Sequence, residues 1–217
     1  MIQHCFLGYN APFVFFNYLY NNFMYYIVGL GNPGEEYELS RHNTGRIIAD
    51  DFRRNEKLDD FELDKKIKAL VSEGKVAKEK VILIFPETFM NKSGLSLKGL
   101  VNSKKKAENL IVIHDDIDLP LGKFKIKFGS GSAGHKGVES VMKAIKTKDF
   151  IRIKVGVSPT TPSGKIKKPT GKKMVDFIIG NFSQKELAVM KNNSKKIISV
   201  LEMIIKEGRE KAMSLSN

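Results

Sequence analysis

Cysteine is almost absent from this chain: Cys5 is the only one among 217 residues. A single cysteine excludes a disulfide framework within the chain and any zinc site built from paired cysteines. Such sparse cysteine is ordinary for a protein of the reducing cytosol, so we expect a cytoplasmic protein. With 41% hydrophobic residues, the chain has enough apolar side chains for one globular domain of normal size.

The chain also lacks a secretory leader and a membrane-spanning run. Residues 1–24 contain no lysine or arginine, whereas a secretory signal needs a positive region near its start. Asparagines and Pro12 interrupt this aromatic stretch, so it cannot span a bilayer. Because Met24 directly precedes the first predicted strand, we expect 1–23 to be an N-terminal extension, either untranslated or disordered. The domain should occupy 24–210, with a C-terminal tail at 211–217.

Acidic residues are scarce in the middle of the chain. The formal net charge is +13, and between Lys123 and Lys173 there are 14 basic residues and only 2 acidic ones. A positive block of this size attracts polyanions, and nucleic acid is the commonest large polyanion. The alternative at this point is a lysine-rich solvated surface without a specific partner.

Short apolar runs alternate with helical patterns, which predicts an α/β fold: a single domain with a mixed twisted sheet flanked by helices on both faces. The capping box Ser183-Gln184-Lys185-Glu186 predicts the start of a final helix, and a turn is expected at Glu73-Gly74. The predicted strands are 25–30, 80–85, 110–113, 123–128 and 150–157. Helices are predicted at 43–55, 93–102 and 133–146, and a long surface loop at 158–173.

The first strand leads into a G-x-G-x-x-G pattern at 29–34, which is also found in dinucleotide-binding folds. Two features argue against a nucleotide here. Pro33 disfavours a helix start at this point, and the carboxylates of Glu35, Glu36 and Glu38 would repel a pyrophosphate. We therefore expect no cofactor.

A histidine and an acidic cluster are the main candidates for catalysis. His42, between Arg41 and Asn43, can act as a general base near neutral pH, although a lone surface histidine has the same signature. The cluster at 114–118 follows a buried strand, where open α/β sheets place their sites, and one of its carboxylates can orient His42. The alternatives are a Mg²⁺ or Zn²⁺ site made by Asp115, Asp118 and a histidine, or a turn with capping aspartates.

Side-chain amides provide a second candidate function. Asn32 follows the first strand, and Asn91 lies in a polar loop after another buried strand, next to an aromatic ring. The NH₂ group of an amide can donate to a carbonyl oxygen as it becomes an oxyanion. On its own, the segment around Asn91 is also a plain polar loop.

Five motifs, in the same order, resemble those of the bacterial-type peptidyl-tRNA hydrolase family, from Tyr25 to roughly Lys206. They are V-G-L-G-N-P-G-x-x-Y at 28–37, R-H-N at 41–43, T-F-M-N-x-S-G at 88–94, H-D-x-x-D-L-P at 114–120 and G-S-A-G-H-x-G at 131–137. The resemblance implies hydrolysis of the ester between a peptide and the 3′ ribose of tRNA, which releases tRNA for reuse in translation. It also implies that the protein needs no metal or other cofactor.

By the same resemblance, His42 would activate water and Asp115 would orient it. Asn32 and Asn91 would bind the peptidyl part, and Tyr37 and Phe89 would line the cleft at the 3′ end of the substrate. The implied contacts to tRNA phosphates are Lys125, Lys127 and Lys154. Peptidyl-tRNA is then the expected partner of a monomer that binds no membrane.

One residue departs from the family pattern. Where the family usually has G-H-N-G, this chain has Lys136 between His135 and Gly137, so an ammonium replaces an amide. This change leaves open an RNA-binding relative without turnover, in which loss of His42 would have no effect. A nucleotide-dependent or metal-dependent enzyme is the third possibility.

Overall fold

A computed structural model describes residues 24–216. The expectation for residues 1–23 lies outside this range. In chain order the strands are β1 Met24–Gly29, β2 Glu62–Asp64, β3 Ala69–Val76, β4 Glu79–Pro86, β5 Leu110–Pro120, β6 Phe124–Phe128 and β7 Ile151–Ser158. The helices are α1 Thr44–Glu56, α2 Lys104–Glu108, α3 Lys136–Ile145, α4 Lys172–Ile179, α5 Gln184–Glu207 and α6 Arg209–Ser216. Short 3₁₀ segments lie at Glu35–Tyr37, Arg41–Asn43 and Met90–Leu97.

The seven strands form one mixed sheet in the order β2-β3-β4-β1-β5-β7-β6. The central strands β4, β1, β5 and β7 are parallel, and the strands at both edges pair antiparallel. Because the central strands are parallel, the segments that follow their carboxyl ends lie along one edge of the sheet. These segments contain all of the predicted catalytic and amide residues.

Helices cover both faces of the sheet, as predicted. On one face, α1, α5 and α6 pack through a cluster that includes Phe52, Leu201 and Ala212. On the other, α2, α3 and the 3₁₀ segment Met90–Leu97 pack through residues such as Val141 and Leu97. The strands pack on both faces, which explains their nearly continuous apolar runs.

Four local expectations differ from the structure. The turn between β3 and β4 lies at Ala77 rather than Glu73-Gly74, because Gly74 is inside β3, where Leu58 packs against it. The segment predicted as a helix at 93–102 is instead the 3₁₀ turn Met90–Leu97, whose buried serines bond to backbone carbonyls. The expected tail at 211–217 contains most of α6, and β5 continues through the acidic cluster to Pro120.

Gly45, in the first turn of α1, sets the distance between this helix and the sheet. A Cβ at this position would lie 2.2 Å from the carbonyl oxygen of Ile113 and 2.5 Å from the backbone nitrogen of Leu30. Both neighbours are backbone atoms of the sheet region, so neither can rotate away as a side chain would.

We therefore expect Gly45→Ala to lower the free energy of unfolding by about 3 kcal/mol, at the upper end of the usual cost of overpacking. The matched control is Gly131→Ala, because a Cβ at Gly131 meets nothing within 4 Å. Urea unfolding followed by circular dichroism measures both variants. A Gly45→Ala protein as stable as the control would show that α1 can move off the sheet at little cost.

Candidate active site

The site is centred on Asp115, which β5 places at the carboxyl edge of the sheet. Its carboxylate is buried, and its Oδ1 lies 2.9 Å from Nδ1 of His42 and 3.0 Å from Nε2 of His135. His42 is in the 3₁₀ turn just before α1, and His135 directly precedes α3. One carboxylate oxygen therefore holds two histidines from opposite faces of the sheet.

Hydrogen bonding determines which ring nitrogens carry protons. Asp115 Oδ1 can only accept, so Nδ1 of a neutral His42 carries the proton and its Nε2 keeps a free lone pair. In His135, Nδ1 accepts from the backbone N–H of Val138 at 3.3 Å, so Nε2 carries the proton that faces Asp115. The two rings therefore present different nitrogens to the same oxygen.

The charges in this cluster stabilise one another. Burial raises the pKa of Asp115, but the charges and hydrogen bonds of His42 and His135 outweigh burial and hold the pKa well below its ordinary value. For His42, burial lowers the pKa, but the charge and hydrogen bond of Asp115 outweigh it, and the net pKa is raised. The pair thus favours a carboxylate beside an imidazole that takes up a proton readily.

His114 is a third histidine in the same cluster, although it faces the other side of β5. Its Nδ1 donates to the backbone carbonyl of Asp115 at 2.7 Å, and its ring meets the ring of His135 edge-on at 4.6 Å. Complete burial, together with the charge of His135, lowers the pKa of His114 well below its ordinary value. His114 is therefore a neutral packing partner of His135.

The predicted amides meet this cluster from the side of β1 and β4. The side-chain oxygen of Asn32 accepts from the backbone N–H of Met90 at 2.9 Å, which links the two predicted loops. Asn43 fixes the backbone of Asn32 from both sides, through bonds of 2.8 and 2.9 Å. The Nδ2 group of Asn32 remains as a donor, and Asn91, directly after Met90, is exposed.

The Met90 side chain carries this wall up to the catalytic pair. A Cβ on Gly137 would lie 2.4 Å from Met90 Sδ and 3.2 Å from the His135 ring, so the absence of a side chain at Gly137 lets Met90 and His135 approach. Phe89 is 59% exposed, as expected for a residue that lines a cleft. Tyr37 is half-buried in the loop after β1.

The predicted basic contacts share one face of the sheet but differ in exposure. Lys125 and Lys127 are exposed on the edge strand β6, and Lys125 is opposite Lys154 in β7. The Lys154 side chain is only 19% exposed, and its ammonium lies 2.6 Å from the carboxylate of Asp116. The charge of Lys154 is therefore partly balanced within the protein.

Arg41, next to His42, ties the catalytic turn to the C-terminal helices. Its Nη2 donates to both carboxylate oxygens of Glu186 at 3.0 Å, and its Nη1 donates to the backbone carbonyls of Gly180 and Asn181. Glu186 is also part of the capping box that begins α5, which confirms the predicted start of this helix. Arg41 thereby links the His42 turn to the end of α4.

The structure bears on the alternative chemistries in two ways. The helix that a pyrophosphate site would need does not begin at Gly34, where the chain instead makes one 3₁₀ turn, and α1 begins ten residues later. Among residues 24–216, the group with metal-ligand geometry is His42, Asp115 and His135, whose ligand atoms lie within 4.8 Å of one another. Asp118, expected in such a site, instead pairs with Lys168.

Sequence reasoning missed three residues that build the site: His135, Asn43 and Arg41. His135 stood inside the quoted G-S-A-G-H-x-G motif, which was the one available signal. The roles of Asn43 and Arg41 rest on partners that are distant in sequence. No helix within residues 24–216 is long and apolar enough to cross a membrane.

The fold and the site together define an α/β protein equipped for general acid–base chemistry. A sequence profile described as "Peptidyl-tRNA hydrolase" matches residues 26–217. The chain therefore belongs to the peptidyl-tRNA hydrolase family.

Individual relatives agree with this assignment. The chain is 38% identical to a peptidyl-tRNA hydrolase of Thermodesulfovibrio yellowstonii over 197 residues, covering 89% of this chain and 99% of the relative. It is 39% identical to one from Thermoanaerobacter over 195 residues, covering 89% and 100%. The crystal structure of peptidyl-tRNA hydrolase from Acinetobacter baumannii superposes with a TM-score of 0.78 at 26% identity, over 89% of this chain and 94% of that one.

Proposed function

We propose that this protein hydrolyses the ester bond between a peptide, or N-blocked aminoacyl group, and the 3′ ribose of tRNA. The observation that carries the proposal is the Asp115–His42 pair, in which Asp115 holds Nδ1 and leaves Nε2 free at the edge of a cleft. Family membership supplies the substrate class. The exposed lysines of β6 and the net charge of +13 suit a polyanionic substrate.

In this mechanism, His42 Nε2 takes a proton from water as the water oxygen bonds to the ester carbonyl carbon. The tetrahedral oxyanion receives hydrogen bonds from the amides of Asn32 and Asn91. When the intermediate collapses, the bond from carbon to the ribose 3′ oxygen breaks, and the imidazolium of His42 returns the proton to that oxygen. Free tRNA and a carboxylic acid leave, and the enzyme regains its starting state.

No covalent nucleophile is required, because an ester has a far better leaving group than an amide. Within residues 24–216, the hydrogen-bond partner of the His42 ring is Asp115, and the nearby hydroxyl of Ser132 donates to Glu139. Water activated by His42 is therefore the nucleophile in this proposal.

The remaining substrate contacts follow from position. Tyr37 and Phe89 line the cleft near the 3′ end, and Asn32 and Asn91 select a blocked amino group over the charged amino group of free aminoacyl-tRNA. Lys125, Lys127 and Lys154 contact tRNA phosphates. We also propose that the protein acts in the cytoplasm as a monomer, which sedimentation of the purified protein tests directly.

The first test compares N-acetyl-aminoacyl-tRNA with the matching free aminoacyl-tRNA, with EDTA present. We expect release of the acyl group from the blocked substrate and little from the free one, measured by acid-precipitable counts. Tight tRNA binding without release would support an RNA-binding relative instead. Activity abolished by EDTA and restored by Mg²⁺ or Zn²⁺ would support a metal-dependent enzyme at the His42–Asp115–His135 cluster.

A further inference from the structure

Beside His42 and Asp115 lies a pocket of about 440 Å³ with one apolar and one basic wall. The apolar wall comes from α4. The basic wall carries the side chains of Lys136, Lys154 and Lys168. The described residues Asn32, Tyr37, Phe89 and Asn91 do not line it, so the pocket is on the opposite side of the catalytic pair from the proposed peptidyl subsite.

The three lysines differ in how firmly carboxylates hold them. The Lys154–Asp116 pair is mostly buried, with exposed side-chain fractions of 19% and 6%, so Lys154 is fixed. The Lys136 side chain is 70% exposed and lies 3.1 Å from the exposed carboxylate of Glu139. An exposed ion pair contributes little stability, so Lys136 can exchange Glu139 for another anion at small cost.

The backbone of Lys136 is held at a fixed place relative to the reacting atoms. Lys136 directly follows His135, so their Cα atoms are about 3.8 Å apart. His135 bonds to Asp115 through Nε2 and to the backbone of Val138 through Nδ1. Lys168 has an exposed pair as well, with Asp118, but it lies in the long connection between β7 and α4. Lys136 thus combines a fixed backbone with an exchangeable ammonium.

We propose that Lys136 is a further substrate-binding residue, and that its ammonium leaves Glu139 to bind the phosphate of the 3′-terminal nucleotide of tRNA. The inference rests on the proposed function, which places the ester carbon at His42. The anion of the substrate nearest to that ester is then the 5′-phosphate of the same nucleotide, one ribose ring away. The amide usual in the family carries no charge, so this contact belongs to the lysine of this chain.

The test uses two minimal esters that differ only in one phosphate: N-acetyl-aminoacyl adenosine 5′-phosphate and N-acetyl-aminoacyl adenosine. For Lys136→Gln we expect kcat/KM on the phosphorylated ester to fall roughly tenfold, the loss typical of one charge-assisted hydrogen bond. On the ester without phosphate it should not change. With whole tRNA, the salt dependence of log kcat/KM should become shallower by about 0.7 to 0.9.

Two further variants give the result its meaning. Lys143→Gln removes the same charge from an exposed position on α3 outside the pocket, and should leave both esters unaffected. Glu139→Gln frees Lys136 and should lower KM for the phosphorylated ester. An equal loss on both esters in Lys136→Gln, or no loss on either, overturns the proposal. A wild-type protein that cleaves neither the esters nor N-acetyl-aminoacyl-tRNA refutes the proposed function itself.

Discussion

His42→Ala is expected to lower kcat for N-acetyl-aminoacyl-tRNA by roughly 10² to 10⁴, the range that a positioned general base contributes. The variant loses the only nitrogen that Asp115 holds with a free lone pair towards the cleft. KM should change little, because the proposed binding groups on both sides of the catalytic pair are untouched. Single-turnover assays with excess enzyme separate the chemical step from product release.

The same variant distinguishes an enzyme from an RNA-binding relative. Affinity for tRNA, measured by filter binding, should match that of the wild type, and thermal unfolding should show that the variant is folded. Asp115 keeps its bond to His135 in this variant, so the buried carboxylate is not left without a partner. Release at the wild-type rate by a folded His42→Ala protein would contradict the proposed mechanism and favour the RNA-binding reading.

The local pattern of the sequence was sufficient to predict the fold class and the edge of the sheet that carries the site. Apolar runs mark the strands, since strands buried on both faces leave little room for polar residues. The capping box at Ser183 identifies the start of α5, because its reciprocal hydrogen bonds involve residues only three positions apart. His42 and Asp115 follow from position, because the parallel strands β1 and β5 end at the same edge.

What the sequence could not reveal depends on contacts between distant segments. His135 reaches Asp115 only because β5 and α3 pack together, and nothing in the spacing of 20 residues indicates that contact. The acidic cluster was expected beyond a strand end, whereas β5 runs through it. The tertiary partners of these acids, Lys154 for Asp116 and two histidines for Asp115, make charged residues acceptable inside the sheet.

Asp115→Asn is expected to affect both the rate and its pH dependence. A general base works in its neutral form, so kcat/KM should rise as pH increases through the pKa of His42. Asp115 raises that pKa in the wild type, so the acid limb of the profile should lie above the ordinary histidine pKa of about 6.5. Removing the charge of Asp115 should move this limb to lower pH.

The rate on the plateau should fall by at least about 10² for a separate reason. The NH₂ group of an asparagine can face His42 Nδ1 as a donor, and the proton would then sit on Nε2, where it cannot serve as a base. Two histidines would also lose the same anchor. Asp118→Asn is the matched control, because Asp118 is exposed and pairs with Lys168 rather than with His42. If both variants kept the wild-type limb, the pKa of His42 would be set by groups other than Asp115, and the two-histidine carboxylate would have to be a structural anchor rather than the source of basicity.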